Sequence, residues 1–402
     1  MKMNVQNLAI WGSPPAFKEK LHVGRPNIGD RRYLLEQIND ILDRRWFSNN
    51  GEHVQDLERR LAERADVKHC VATCNATIAL EIVARALELE GEVIVPSFTF
   101  ISTPHSLQWL QITPVFCDID PSTHNLDPQH VEKLITPSTT GIVGVHVWGR
   151  PCAINDLESI ASRHGLKLLF DAAHAFGCSH KGRMIGGFGD AEIFSFHATK
   201  FFNTFEGGAV ATNNDGLAAT IKLMRNHGFA GHDNVVCVGT NGKMTEICAA
   251  MGLSSLKCLD EFIDANRHNY HLYKKELSAL NGVSLISYDP AERNNYQYIV
   301  LEIDEKATGI SRDDLMEVLI RENVLARRYF YPGCHRMEPY HTSFALTKAS
   351  LLATERLTGR ILTLPTGGVV KDNDIAIICQ ILRTAVNNGA EITERLRETM
   401  SS

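Results

Sequence analysis

The sequence predicts an α/β protein, a large domain on a mostly parallel sheet followed by a smaller α+β domain. Three observations carry this. From about residue 69 to 230, short apolar β-rich runs alternate with amphipathic helical stretches. After Met244 that alternation stops. A chain of 402 residues, 44% hydrophobic and 22% charged, also has the volume for one large core and one smaller core.

Seven runs have strand character: HCVATC, EVIVPSF, PVFCDID, GIVGVHVWG, LKLLFDAA, EIFSFHA and GAVATN. They are apolar almost throughout, as strands covered on both faces are. Helical patterns lie between several of them. Over Ile154–His164, for instance, Ile154, Leu157, Ile160 and Ala161 share one face. Beyond Met244, MTEICAAMGLSSLKCLDEFIDANRHNYHLYKKELSAL predicts one long helix or two in line. NYQYIVLEID then reads as a strand, SRDDLMEVLIREN as a helix, LARRYFY as a short strand, and the C-terminus as helical. The expected division gives residues 1–255 to an N-terminal arm and the large domain, and 256–402 to the small domain. No internal repeat or low-complexity linker interrupts either part.

Composition narrows the function. The net charge is −6 with both signs interspersed, and no basic block of nucleic-acid type occurs. DNA and RNA are therefore not expected partners. The opening MKMNVQNLAIWGSPPAF has no signal-peptide core, and no later run is long enough to span a bilayer. Ten cysteines are scattered without a CxxC, which fits a reduced cytoplasmic protein with free thiols. No Cys/His set has metal-ligand spacing, so no metal is expected. Neither GxGxxG nor GxxxxGK[ST] is present, which argues against a dinucleotide fold or a P-loop.

In a parallel α/β sheet the site lies at the carboxyl ends of the strands, so residues just after each run matter most. FSFHATKFFNTFEGG sets Lys200 among Phe194, Phe196, Phe201, Phe202 and Phe205. A lysine in such company either snorkels to water or is held as a neutral amine able to form a Schiff base. LKLLFDAAHAFG ends its strand in Asp171, which is either a cap or the partner of a cation. CVATCNAT passes from strand to helix through Asn75, Ala76 and Thr77, where helix caps and an anion site look alike. Ser195 ends another strand, as a backbone-bonded serine or as a donor to the same anion.

Together these residues match one cofactor. Pyridoxal phosphate needs an amine for its aldehyde, a carboxylate for its ring nitrogen, a cradle for its phosphate and an apolar surface for its ring. Lys200, Asp171 and the Asn75/Thr77/Ser195 group supply the first three. Phe98 or Phe100 in VPSFTF supplies the fourth. His174 follows Asp171 closely enough to reach the ring, or it is a core histidine.

These motifs resemble the StrS/DegT-type nucleotide-sugar aminotransferases, which have fold type I of the pyridoxal-phosphate enzymes (aspartate aminotransferase-like). FDAAHAFG, KGRMIGGFGDAEIFSFHATK and EGGAVATN carry the likeness, supported by SNNGEHVQDLERRLAE, GTNGKMTE, RRYFYPGCH and LTLPTG, over about residues 15 to 390. NLAIWGSPPAF, VGRPN and PGCHRMEPY most resemble the branch that aminates C4 of a dTDP-4-keto-6-deoxy sugar.

The resemblance implies that Lys200 bonds the cofactor and catalyses, Asp171 pairs with the ring nitrogen, and His174 lies near the ring hydroxyl. It implies that Phe100 stacks on the ring, and that Ala76, Thr77 and Ser195 line the phosphate with Asn75 beside them. Asn241 would reach the phosphate of a neighbouring subunit, making the enzyme a homodimer. L-Glutamate would donate the amine. Arg25, Asn49, Tyr331 and His335 are expected near the sugar.

Three positions depart from the family pattern: Ala76 and Phe205 stand where glycine is frequent, and Gly333-Cys334 replaces the usual proline-flanked leucine before His335. A related branch that dehydrates its substrate has histidine in place of the lysine, and Lys200 argues against it. A lyase or desulfurase would need an exposed, activated cysteine, and none declares itself. A pyridoxal-phosphate-binding regulatory protein without turnover remains the reading from another functional class.

Overall fold

The computed structural model describes residues 4–343 and 351–401. Its central sheet has seven strands: β1 (His69–Thr73), β2 (Glu92–Pro96), β3 (Thr113–Cys117), β4 (Thr139–Val145), β5 (Lys167–Asp171), β6 (Ala191–Ser195) and β7 (Gly208–Thr212). They lie in the order β1-β7-β6-β5-β4-β2-β3. All pairs are parallel except those of β7, which runs antiparallel to both β1 and β6. Each apolar run read as a strand is one of these seven.

The side-chain period of two explains why these runs are apolar throughout. Val93, Val143, Leu169, Ile193 and Val210 face one core, formed with the helices Ala76–Ala86 and Asp215–Met224. Their neighbours Ile94, Ile142, Leu168, Phe194 and Ala209 face the opposite core, against the helices Glu52–Ala65, Ile154–His164 and Glu246–Lys257. The helix Ile154–His164 has the predicted bounds, and its four predicted face residues are buried.

A second unit has its own core around an antiparallel sheet, β8 (Val283–Leu285), β9 (Ile299–Ile303) and β10 (Ile361–Leu364), in that order. The helices Leu259–Leu277, Arg312–Arg321 and Asp372–Asn387 pack into it. The predicted long helix is two, Glu246–Lys257 and Leu259–Leu277, meeting at Cys258. We propose the division between the units there. The N-terminal stretch packs with this second unit: Val5, Leu8 and Phe17 enter its core. The buried Glu322 carboxylate accepts from the Ala9 and Ala16 amides, both at 2.7 Å.

One expected element is absent. LARRYFY is not a strand; only Val324–Leu325 pairs, with Leu21–His22. Arg327 makes a lone bridge to Thr363, and Phe330 turns into an aromatic cluster with Phe98 and Trp148. Packing of large rings overrides the β-propensity of the run.

Candidate active site

The carboxyl ends of β1, β2, β5 and β6 open into one cavity of about 520 Å³. Asn75, Ala76, Thr77, Phe100, Asp171, His174, Ser195 and Lys200 all line it. Eight residues from four separate stretches of sequence thus line one cavity. The second unit closes the cavity with Tyr298, Arg327, Tyr329 and Phe330.

Lys200 sits on a tight turn after β6, its amide donating to the His197 carbonyl at 2.8 Å. Phe194, Phe196 and Phe202 are buried with Phe176 in an aromatic cluster. That cluster anchors the turn, while the lysine side chain extends to the cavity. Its Nζ lies 3.2 Å from the Tyr298 hydroxyl. Burial pushes the amine down to about 8, against the pull of the Asp171 charge.

Asp171 ends β5 and is buried. Its Oδ2 accepts from Thr103 Oγ1 at 2.8 Å and its Oδ1 from the Ala173 amide at 3.0 Å. Burial raises its pKa, and these two donors oppose the rise. A carboxylate so placed is a ready partner for a cation inside the cavity.

His174 is buried beside it, and desolvation holds it well below the usual histidine range, with the Lys200 charge acting the same way. Its Nδ1 accepts the Trp148 amide at 3.2 Å. The proton of the neutral ring must therefore sit on Nε2. Trp148 has a left-handed φ of 63°, which aims that amide. Its indole donates to His124 Nδ1 at 3.1 Å, and the Tyr288 hydroxyl donates to its carbonyl at 3.2 Å.

At the other end of the cavity, Asn75 caps the helix Ala76–Ala86, accepting from the Ile78 amide at 2.8 Å. Its side chain is thus a cap, and the first-turn amides of Ala76 and Thr77 supply the anion-binding character. β7 begins against this turn. A Cβ on Gly208 would come within 2.6 Å of the Ala76 nitrogen, so only glycine allows the approach. Gly208→Ala is expected to force the strand off the helix and weaken cofactor retention about tenfold. Dialysis against buffer, followed by the remaining cofactor absorbance, measures it.

Of the two phenylalanines in VPSFTF, Phe98 is fully buried and Phe100 is 57% exposed on the cavity. Phe205, where glycine is frequent in the family, has a φ of 63°, the backbone conformation that glycine adopts without cost. Four expected sugar contacts lie outside the cavity of this subunit. Arg25 is exposed; the preceding Gly24 runs beside Thr199. Asn49 lines a separate cleft of about 1160 Å³ that holds none of the Lys200 group. Tyr331 lies under the guanidinium groups of Arg312 and Arg328. His335 is held between Ser97 Oγ, at 2.6 Å, and Glu355. Asn241 is exposed and also lies outside the cavity.

Thr103 and Tyr298, the partners of Asp171 and Lys200, are not singled out by the sequence reading. Thr103 lies in the first turn of the helix Ser102–Trp109, three residues beyond VPSFTF. A hydroxyl there, after a strand end, was the available signal. Nothing in the spacing links Tyr298 to Lys200.

Residues 30–383 match the model of the DegT/DnrJ/EryC1/StrS aminotransferase family. The chain belongs to that family. It is 37% identical to the dTDP-4-amino-4,6-dideoxy-D-glucose transaminase of Shigella dysenteriae over 324 residues, 81% of this chain and 88% of the relative. It is 34% identical to the GDP-perosamine synthase of Caulobacter vibrioides, over 80% of this chain and 87% of the relative. The crystal structure of DesI in the presence of its TDP-sugar product superposes with a TM-score of 0.94 at 51% identity, covering 98% of this chain and 100% of that one. This member of the DegT/DnrJ/EryC1/StrS family is an aminotransferase acting on nucleotide sugars, and its cofactor is pyridoxal phosphate.

The residues present fit that cofactor. Among the described residues Lys200 makes no ion pair, Asp171 is buried and lines the cavity, and a glycine-opened helix turn stands at the far end. Among the described residues no helix is long and apolar enough to cross a membrane, and no cluster of metal-ligating side chains occurs.

Proposed function

We propose that this aminotransferase converts dTDP-4-dehydro-6-deoxy-D-glucose and L-glutamate into dTDP-4-amino-4,6-dideoxy-D-glucose and 2-oxoglutarate. The likeness to the dTDP-4-amino-4,6-dideoxy-D-glucose transaminase of Shigella dysenteriae carries the choice of sugar, and DesI, solved with a TDP-sugar product, supports the nucleotide. Relatives with other sugars are similar at lower identity. A 3-aminotransferase, or a 4-aminotransferase giving the galacto product, is the second reading within the family.

Pyridoxal phosphate supplies an aldehyde that takes up amino groups and a protonated ring that withdraws electrons. We assign Lys200 as the residue that holds it and, once displaced, moves the proton. Its neutral amine takes the α-proton of glutamate in the first half-reaction and returns a proton to the sugar carbon in the second. Asp171 keeps the ring nitrogen protonated, fixed for the purpose by Thr103 and Ala173. His174 donates from Nε2 toward the ring hydroxyl, and Phe100 covers the ring. Ala76, Thr77 and Ser195 bind the phosphate.

We further propose a homodimer in the cytoplasm, with Asn241 completing the partner's phosphate site. Its exposed position supports this, as do the exposed apolar side chains of Phe229, Val235, Val236 and Val238 just before it.

With the amine near 8, about a tenth of it is neutral at pH 7, against less than one part in a thousand for an ordinary lysine. The glutamate half-reaction is expected to quicken as pH rises from 7 and to level off above about 8. A profile flat from pH 6 to 9 would count against Lys200 as the base. The reading as a whole is tested by the visible absorbance of the purified protein. L-Glutamate should remove the cofactor band, the ketosugar should restore it, and NMR of the product should show an equatorial amine at C4. A band indifferent to amino donors would leave only a binding protein.

A further inference from the structure

We infer that Tyr298 is a positioning residue for Lys200, its hydroxyl holding the freed amine where the substrate carbon loses and regains its proton. This rests on the transamination reading above. Three observations carry it. The hydroxyl is 3.2 Å from Nζ and is the one hydrogen-bond partner the amine has among the described residues. The tyrosine comes from the second unit, immediately before β9, so it grips from outside the sheet that carries the lysine.

The third observation is that other rings pack around the phenol. It is buried against His174 at 4.6 Å, Trp148 at 5.3 Å and Tyr329 at 6.3 Å between ring centroids. The Tyr288 hydroxyl lies 3.2 Å from the Tyr298 carbonyl and shares its one proton between that oxygen and the Trp148 carbonyl. A long flexible amine is thus set against a hydroxyl on a packed ring.

Charge makes the pairing serve both halves of the reaction. Burial, and then the Asp171 charge, raise the phenol's pKa, so it keeps its proton while the lysine titrates. A neutral hydroxyl accepts from the ammonium and donates to the amine. The proton gained and lost therefore resides on Lys200 alone. Loss of the hydroxyl would leave the amine neutral when required but free among rotamers, and misplacement by about 1 Å can cost roughly 10²-fold in rate.

In the holoenzyme, Tyr298→Phe is expected to retain the cofactor and the wild-type saturation by L-glutamate. The decay of the visible band with glutamate should slow by about 10- to 100-fold. Glutamate deuterated at its α-carbon should then show a larger isotope effect than in wild type, because proton transfer limits the rate. A variant with wild-type decay and a wild-type isotope effect overturns the inference.

Should that variant lose fold or cofactor, 3-fluorotyrosine at position 298 keeps the shape and makes the phenol a stronger donor. In cofactor-free protein carrying 15N at lysine Nζ, it should lower the Lys200 titration midpoint from about 8. An unmoved midpoint overturns the inference as well. If wild type itself ignores glutamate, the transamination reading fails. If wild type responds and the variants match it, only the role of Tyr298 fails.

Discussion

Lys200→Ala is expected to lower turnover by roughly 10⁴-fold or more, because it removes both the covalent anchor and the proton carrier. Nothing nearby can replace it. His174 is desolvated, its Nδ1 is occupied by the Trp148 amide, and its pKa is depressed. Tyr298 holds its proton even more firmly than a free phenol. The fold should survive, since the Phe194, Phe196 and Phe202 cluster that anchors the turn does not involve the lysine side chain. A small primary amine such as methylamine, supplied at high concentration, should enter the emptied space and recover part of the rate. Steady-state assay of 2-oxoglutarate with and without the added amine measures both effects. Near wild-type turnover in the variant would remove Lys200 from the chemistry.

Asp171→Asn is expected to cut kcat by roughly 10²–10³-fold, the usual cost of removing one preorganised electrostatic partner. The substitution is nearly isosteric: the amide oxygen can still accept from Thr103 Oγ1, now at 2.8 Å from the carboxylate, while the amide nitrogen faces the Ala173 N–H and loses that bond. Folding stability should therefore fall by only about 1–3 kcal/mol while the ring nitrogen loses its anion. The two effects separate cleanly: denaturant unfolding reports the first, and single-turnover rates with glutamate report the second. A large loss of stability with an unchanged single-turnover rate would make Asp171 a structural cap.

The fold was legible where one physical signal was strong. Strands buried on both faces must be apolar along their length, so β1 to β7 stood out. LARRYFY misled because its large side chains suit a strand and an aromatic wall equally, and only tertiary contact decides. In the site, Lys200, Asp171 and the helix start after β1 were legible because topology assigns strand ends to ligands. Their partners were not. Thr103 meets Asp171 across 68 residues of chain and Tyr298 meets Lys200 across 98. The surroundings of His335 likewise depend on distant contacts: its ring bonds to Ser97 and faces Glu355.

The antiparallel β7 fixes when the protein becomes able to take up its cofactor. Gly208 pairs with Thr73, joining the last strand of the sheet to the first, and the proposed phosphate cradle sits on that seam. A chain leaving the ribosome carries Asn75 and its helix long before it carries the glycine that meets them. Closure of so long a loop is slow, because its entropy must be lost before any pairing is gained. Capture of pyridoxal phosphate by the finished sheet is therefore expected, and a shortage of the cofactor should leave folded apoprotein rather than misfolded chain.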